Sequence, residues 1–397
     1  MKIVVQKFGG TSLASSKGRE EALRHIVETR KNGFHVVVVV SAMGRFPDPY
    51  ATDTFLQLIR NESKPKHRDL LLSCGEVVSV AVMADLLESH GISSDTLAFV
   101  QTGILTTNQH GDGQILEIDV APILSALERG EVVVIPGFQG VTRDGQITTL
   151  GRGGSDTTAA ALGAALKAEL VEIYTDVEGI FSADPRLVPD AHVIEEITFA
   201  EVGEMAHHGA KVLHPKAVSF AMASSTPIRI RSTASDKPGT LVTPNPVKFD
   251  DSVTAITHIP KSAYVQIELD DDESLDQSRH TLFKLFAEAG VSLDLITVSG
   301  HTVSFIIQES QVNLAKQLLK PLDWPYQLEK GFAKVSVVGA GIRGRPGVMY
   351  KIIDTLHRAG ISLYHSTDSH ITIACLVKQA DMEKAIRLLH DEFVHSD

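Results

Sequence analysis

Only two cysteines occur among the 397 residues, Cys74 and Cys375, far apart in the chain. That excludes a disulfide framework or a cysteine-based metal site and fits a reducing cytoplasm. No long basic cluster offsets the formal net charge of −12, so nucleic acid is not an expected partner. No apolar run is expected to reach the about 20 residues of a membrane span, and MKIVVQKF lacks a signal-type hydrophobic region. No membrane is therefore expected, and the reading is a cytoplasmic protein. The GxxxxGK[ST] phosphate loop is missing too, which excludes a P-loop kinase. What is there, 43% hydrophobic and 22% charged residues, is the composition of a soluble globular chain long enough for two or three domains.

The chain is organised around Thr148-Thr149-Leu150-Gly151-Arg152-Gly153-Gly154-Ser155-Asp156-Thr157-Thr158. Three glycines in four positions let backbone turn tightly and come close to a ligand. The alanine-rich helix predicted over 159–168 would aim free N–H groups and its positive dipole end at this loop, a setting for an anion. Ser155 and Asp156 suit its cap. Arg152 offers a planar fork for a carboxylate or phosphate.

Met1–Gln6 and Val36–Val40 read as buried parallel strands. Each runs straight into a small-residue loop, Lys7-Phe8-Gly9-Gly10-Thr11-Ser12 and Ser41-Ala42-Met43-Gly44. Such strand ends are where open α/β sheets bind ligands. A helix over 69–88 is predicted to be interrupted at Ser73-Cys74-Gly75-Glu76. Glu76 shares a face with Leu72 and Val80, and a lone acid in that company is paired or functional. Further strands are predicted at Thr96–Val100, Val132–Ile135, Leu170–Thr175 and Pro227–Arg231. The alternation predicts an α/β domain over 1–243, a parallel-cored sheet sandwiched by helices, and a Pro- and Asp-marked linker over 244–261.

The C-terminal third repeats itself. Ala289-Gly290-Val291-Ser292-Leu293 returns seventy residues on as Ala359-Gly360-Ile361-Ser362-Leu363. Strand, helix, strand and helix surround each copy in the same order, which predicts two α+β modules, 262–331 and 332–397. Each reads as βαββα, with the final strand open.

These motifs, in this order, resemble the amino-acid-kinase superfamily, and within it the aspartate kinases that end in a pair of ACT modules. The resemblance rests on residues 7–12, 41–44, 73–76 and 149–158, on Tyr174-Thr175-Asp176-Val177-Glu178-Gly179-Ile180, on Ala183-Asp184-Pro185-Arg186 and on Gly209-Ala210-Lys211-Val212-Leu213-His214-Pro215. It covers the whole chain and lies nearest the diaminopimelate-sensitive bacillar type. It implies ATP-dependent phosphorylation of the β-carboxylate of L-aspartate, with Mg²⁺ accompanying ATP and no side chain assigned to the metal. The reaction would open lysine and diaminopimelate, threonine and methionine biosynthesis. The acceptor carboxylate is already ionised at neutral pH. What such a site must supply is cations and N–H donors that bring two anions together.

The resemblance implies roles residue by residue. Lys7 would neutralise the transferring phosphoryl group, and Asp156 would organise Lys7 or the metal. Glu76 would hold the ammonium of the substrate, Arg152 its α-carboxylate and Ser155 its β-carboxylate, with Thr52 a further contact. Lys7, Gly9, Gly10, Ser41, Thr175, Asp176, Phe181, Arg186 and Lys211 would line the nucleotide; Phe181 stands where many relatives carry tyrosine. His207, His208 and His214 are read as structural. Ser292, Asp294, Ser369 and His370 would hold a regulatory amino acid (diaminopimelate, lysine or threonine) in a homodimer built through the ACT modules. Two other readings are another amino-acid kinase, of the acetylglutamate, glutamate 5- or uridylate type, and a catalytically inactive amino-acid sensor. The combination of Glu76, Arg152 and tandem modules argues against the first. Retention of Lys7, Arg152 and Asp156 argues against the second.

Overall fold

The computed structural model describes residues 1–60, 62–210, 213–244, 246, 253–269, 274–342 and 345–394. They fall into two compact units. The first comprises Met1–Ile180, Val193–Ala206 and Lys211–Lys248, and the second Phe181–His192, His207–Ala210 and Phe249–Asp397.

Among the described residues, twelve strands build two sheets in the first unit: β1 (Ile3–Phe8), β2 (His35–Val40), β3 (Ser94–Thr96), β4 (Ile104–Thr106), β5 (Ile115–Ile118), β6 (Val132–Pro136), β7 (Gln139–Val141), β8 (Ile147–Thr149), β9 (Leu170–Thr175), β10 (Glu196–Thr198), β11 (Ile228–Ser232) and β12 (Thr240–Thr243). The larger sheet runs β10-β12-β11-β9-β1-β2-β6-β3. It is parallel except where β11 meets β12. The smaller runs β5-β4-β7-β8. Val36 to Val40 are all buried, as a run of β-branched residues covered on both faces requires. The ends of β1, β2, β6 and β9 lie side by side, so their loops form one rim.

Helix Pro65–Ser89 runs uninterrupted through residues 73–76. A single internal glycine costs only about 1 kcal/mol against alanine, and Gly75 is needed there: a Cβ would stand 2.7 Å from that of Ala42. By length and composition alone this helix is apolar enough to cross a membrane, contrary to the expectation of no run of that length. Its most apolar stretch is 44% buried, and it packs against β6 and β8. The strand predicted to Val100 ends at Thr96, and Phe99–Thr102 is a 3₁₀ turn that opens with Phe99 at φ 53°.

In the second unit β13 (Ala255–Glu268), β14 (Asp294–Ser299), β15 (Thr302–Gln308), β16 (Tyr326–Val338), β17 (His365–Asp368) and β18 (Thr372–Lys378) form one antiparallel sheet. Its order is β14-β15-β13-β16-β18-β17. Helices Leu275–Glu288 and Val312–Leu319 cover the first repeat, Val348–Arg358 and Met382–Phe393 the second. Gly290 and Gly360 close equivalent helices at φ 66° and 71°, the left-handed cap that glycine takes at least cost. The strand left open in each repeat is shared. β13 and β16 pair along both halves, residues 255–259 with 334–338 and residues 262–267 with 326–332. Residues 255–259, expected in the linker, therefore complete the second module. Ala255, Ile256 and Thr257 are buried there, and Pro260 obscured the strand in the sequence. Residues 245 and 247–252 of the expected linker lie outside the described residues.

The second unit also takes in Phe181–His192 from the expected kinase domain. Ala183 and Val188 are buried in the core of the second module, with Val335, Ile352 and Leu389. Ser182 Oγ lies 2.9 Å from His390 Nε2, Ile256 N donates to Ser182 O at 2.8 Å, and Arg387 Nε donates to Leu187 O at 2.6 Å.

Candidate active site

Lys7 is the penultimate residue of β1 and 9% exposed. Its Nζ lies 2.7 Å from Asp156 Oδ1, an ion pair with little solvent on either side. Asp156 stands in the first turn of helix Gly154–Ala165, whose N-cap is Gly153 at φ 70° with no side-chain capping bond. Ser155 and Asp156 thus do not cap this helix, contrary to the sequence reading. They sit inside its first turn, where the dipole favours a carboxylate, and the Asp156 oxygens stay free for Lys7. Ser155 lies against the end of β6, where a Cβ on Gly137 would stand 2.7 Å from its Cβ and Oγ.

Gly9 and Gly10 follow β1. A Cβ on Gly10 would meet Ala42 O at 2.5 Å and Gly44 O at 2.8 Å, so this glycine brings the 41–44 loop against the first loop. Gly44 N donates to Gly10 O at 2.9 Å and Ser41 N to Phe8 O at 3.1 Å. Behind that loop lies Glu76, 2% exposed. Its Oε1 accepts from Ala42 N at 3.1 Å, and its Oε2 is buried without a partner. Burial pushes its pKa up to about 8, because an unpaired carboxylate out of water favours its neutral form. Thr52 is half-buried at the start of helix Thr52–Leu56.

Arg152 is exposed on the glycine loop and has no ion pair among the described residues. Gly153 packs on His214, to whose Cγ a Cβ would come within 2.3 Å. His214 is the N-cap of helix Pro215–Ser224, its Nδ1 accepting from Lys216 N at 3.3 Å. Burial lowers its pKa, so it is a neutral wall of the site.

Thr175 ends β9 and Asp176 follows it. Thr175 Oγ1 donates to Asp176 Oδ1 at 3.1 Å, and Arg45 Nη2 reaches Asp176 Oδ2 at 3.0 Å. The sequence gives no signal for Arg45, because its partner lies 131 residues away in the chain. Phe181 and Arg186 belong to the second unit. Arg186 is exposed and grips Asp184 in a two-pronged pair, Nε to Oδ1 at 3.0 Å and Nη2 to Oδ2 at 2.7 Å. That bond holds the Asp184 carboxyl below its usual range. Lys211 lies outside the described residues. His207 closes helix Phe199–His207, and His208 Nδ1 lies 2.9 Å from Ser336 Oγ.

Of the expected effector residues, Ser292 is exposed and Asp294 begins β14. Asp294 Oδ2 is ion-paired with Lys334 Nζ, and that lysine is 1% exposed on β16. Ser369 and His370 lie in the turn between β17 and β18, where Ser369 N donates to Thr372 O at 2.8 Å. The repeat counterparts of Ser292 and Asp294 are Ser362 and Tyr364, so the two expected pairs do not occupy equivalent places.

The sequence profile of the amino acid kinase family matches residues 2–232, and that of the ACT domain matches residues 327–391. Aspartokinase 1 of Bacillus subtilis is 42% identical over 402 residues, covering 99% of each chain. The aspartokinase of Geobacillus stearothermophilus is 38% identical over 409 residues, 99% of this chain and 97% of its own. Among solved structures, E. coli aspartokinase III in complex with aspartate and ADP matches with a TM-score of 0.80 at 26% identity, covering 99% of this chain and 100% of that one. E. coli aspartokinase III in complex with lysine and aspartate matches with a TM-score of 0.78 at 26% identity, covering 100% of both chains.

Proposed function

The chain belongs to the aspartokinases of the amino acid kinase family, and we propose which of its residues carry out their reaction. That reaction is ATP-dependent phosphorylation of the side-chain carboxylate of L-aspartate. One carboxylate oxygen bonds to the γ-phosphorus while the bridging oxygen leaves with ADP. Charge on the transferring group must be met by fixed cations and donors. Lys7 supplies the cation, held in place by Asp156 at 2.7 Å. The positive end of helix Gly154–Ala165 and the Ser155 hydroxyl in its first turn would serve the same anionic centre. Arg152 takes the substrate α-carboxylate, and the open Oε2 of Glu76 takes its ammonium, with Thr52 a lesser contact. Gly9, Gly10, Ser41, Thr175 and Asp176 serve the nucleotide from the first unit. Phe181, Arg186 and Lys211 are its further candidate contacts.

Mg²⁺ fits this donor set. Asp156 offers one carboxylate, and an ion that keeps several waters and takes its other ligands from phosphates needs no more. When bound, it would neutralise phosphate charge.

The observation that carries the assignment is Glu76, a fully enclosed carboxylate with one oxygen unpartnered. Such a group becomes tolerable when a cation arrives. ADP release that requires L-aspartate tests it. Glu76→Gln and Arg152→Ala should raise KM for aspartate far more than KM for ATP. If KM for ATP moves instead, the two ends of the site are assigned the wrong way round.

For regulation, the ACT match and the lysine complex of the E. coli relative support an amino-acid effector. Diaminopimelate is our first candidate and lysine the second, acting at a homodimer interface built through the C-terminal modules. Ser292 and Asp294 would contribute from the first module, and Ser369 and His370 from the second.

A further inference from the structure

One buried carboxylate of the first unit has no part in the roles above. Asp69 is 1% exposed and lies on helix Pro65–Ser89 seven residues before Glu76, two turns along the same face. Its side-chain hydrogen bonds all reach away from its own helix. Oδ1 accepts from Thr149 Oγ1 at 2.8 Å, while Oδ2 accepts from Gly111 N at 3.0 Å and stands 2.8 Å from His110 Nδ1.

Thr149 is the last residue of β8 before Leu150-Gly151-Arg152. Its carbonyl accepts from Gly113 N at 2.8 Å, so the 110–113 loop holds the same residue from the backbone side. Asp112 of that loop is ion-paired with Lys216, whose Nζ also donates to Leu150 O at 3.2 Å. Gly151 is at φ 77°, and a Cβ there would stand 2.9 Å from Asp112 Oδ1. The backbone leading into Arg152 is thus clamped on both sides, and the clamp hangs on a carboxylate rooted in the helix that carries Glu76.

We propose that Asp69 is a positioning residue for the amino-acid substrate, tying the Arg152 loop to the Glu76 helix and so setting the separation of the two groups that grip the α-carboxylate and the ammonium. The inference rests on the roles given to Arg152 and Glu76 above. The physical reason is span. An α-amino acid presents its two charged groups at a fixed short distance, and Arg152 is exposed with no ion pair among the described residues to place it. A buried acidic side chain held by three hydrogen-bonding partners is a stiff anchor, and a displacement of about 1 Å can cost a reaction 10²-fold.

The test is a double-mutant cycle with steady-state kinetics. Asp69→Ala should raise KM for aspartate about 10²-fold and leave KM for ATP within about 3-fold. Asp69→Asn, which keeps an acceptor for Thr149, should fall between. Thr149→Val keeps the shape, removes the same hydrogen bond and decides the question if Asp69→Ala does not fold. In an Arg152→Ala background each substitution should add less than about 2-fold, because Asp69 acts through Arg152. Effects that multiply with Arg152→Ala, or a KM for ATP that rises equally, would overturn the inference. If Arg152→Ala raises KM for aspartate while Asp69→Ala and Thr149→Val do not, the inference fails alone. If Arg152→Ala leaves that KM unchanged, the substrate assignment fails with it.

Discussion

Lys7 Nζ and Asp156 Oδ1 meet at 2.7 Å, one from the end of the first strand and the other from the helix behind the glycine loop. Two far-separated motifs thereby form one cationic centre beside a helix N-terminus. Removing the cation should cost turnover and little else. Lys7→Ala is expected to lower kcat by about 10³-fold, about 4 kcal/mol of transition-state stabilisation. Steady-state kinetics on protein with an unchanged melting temperature checks this, and near-normal kcat would remove Lys7 from its role.

Glu76 gives a pH dependence with a definite sign. With its pKa at about 8 in the empty site, the carboxyl carries a proton at neutral pH, which, in the role proposed for it, the substrate ammonium would have to displace. kcat/KM for aspartate should rise as pH increases toward about 8 and level off above, and Glu76→Gln should flatten that profile.

The same group makes a stability prediction. Its pKa is raised from an ordinary value of 4.5, so the unfolded chain gives up this proton at lower pH than the folded one. Its contribution to stability is complete below pH 4.5 and is lost as pH rises to about 8. Glu76→Gln should therefore melt higher than the parent at pH 8.5, by a margin that shrinks as pH falls and vanishes below pH 4.5. Melting curves across that range check it, and a margin that grows on acidification would contradict it.

Gly10→Ala should act through the 41–44 loop. Its Cβ would stand 2.5 Å from Ala42 O, and backbone rather than a mobile side chain would have to yield. A loss of about 1–3 kcal/mol is expected, measured by denaturant unfolding. Ala42 N is also the donor to Glu76, so KM for aspartate should rise as well.

Regulation is tested by activity titrations with diaminopimelate, lysine and threonine, singly and in pairs. Inhibition by diaminopimelate is expected, weakened in Asp294→Asn by 10-fold or more, roughly the loss of one charged contact. Flat curves for all three would remove the effector reading and leave the kinase assignment untouched. Truncation near Lys261 is a poor substitute. Ala183 and Val188 are buried in the core of the second module, so that cut would expose them and should destabilise what remains.

Much of this was legible because the signals were local. The five valines of β2, the glycines at 151, 153 and 154, and the repeat around Gly290 and Gly360 each carry their own structural consequence. Glu76 stood out as a lone acid on an apolar helix face. Asp69, two turns earlier on that face, gives no such signal beside Lys66 and Ser73, and its partners come from residues 41 to 80 positions away. The strand at 255–259 was hidden because its partners lie about 80 residues on. Phe181–His192 looks like kinase in its motifs, yet packs with the second module, because only the folded chain shows what covers Ala183 and Val188.

The most direct measurement is β-aspartyl hydroxamate formation from ATP, Mg²⁺, L-aspartate and hydroxylamine, which traps the acyl phosphate as it forms. The full-length protein should make the hydroxamate at a rate that saturates with aspartate, and Lys7→Ala should make almost none. No hydroxamate with aspartate, alongside ready turnover of another carboxylate, would contradict the account at its centre.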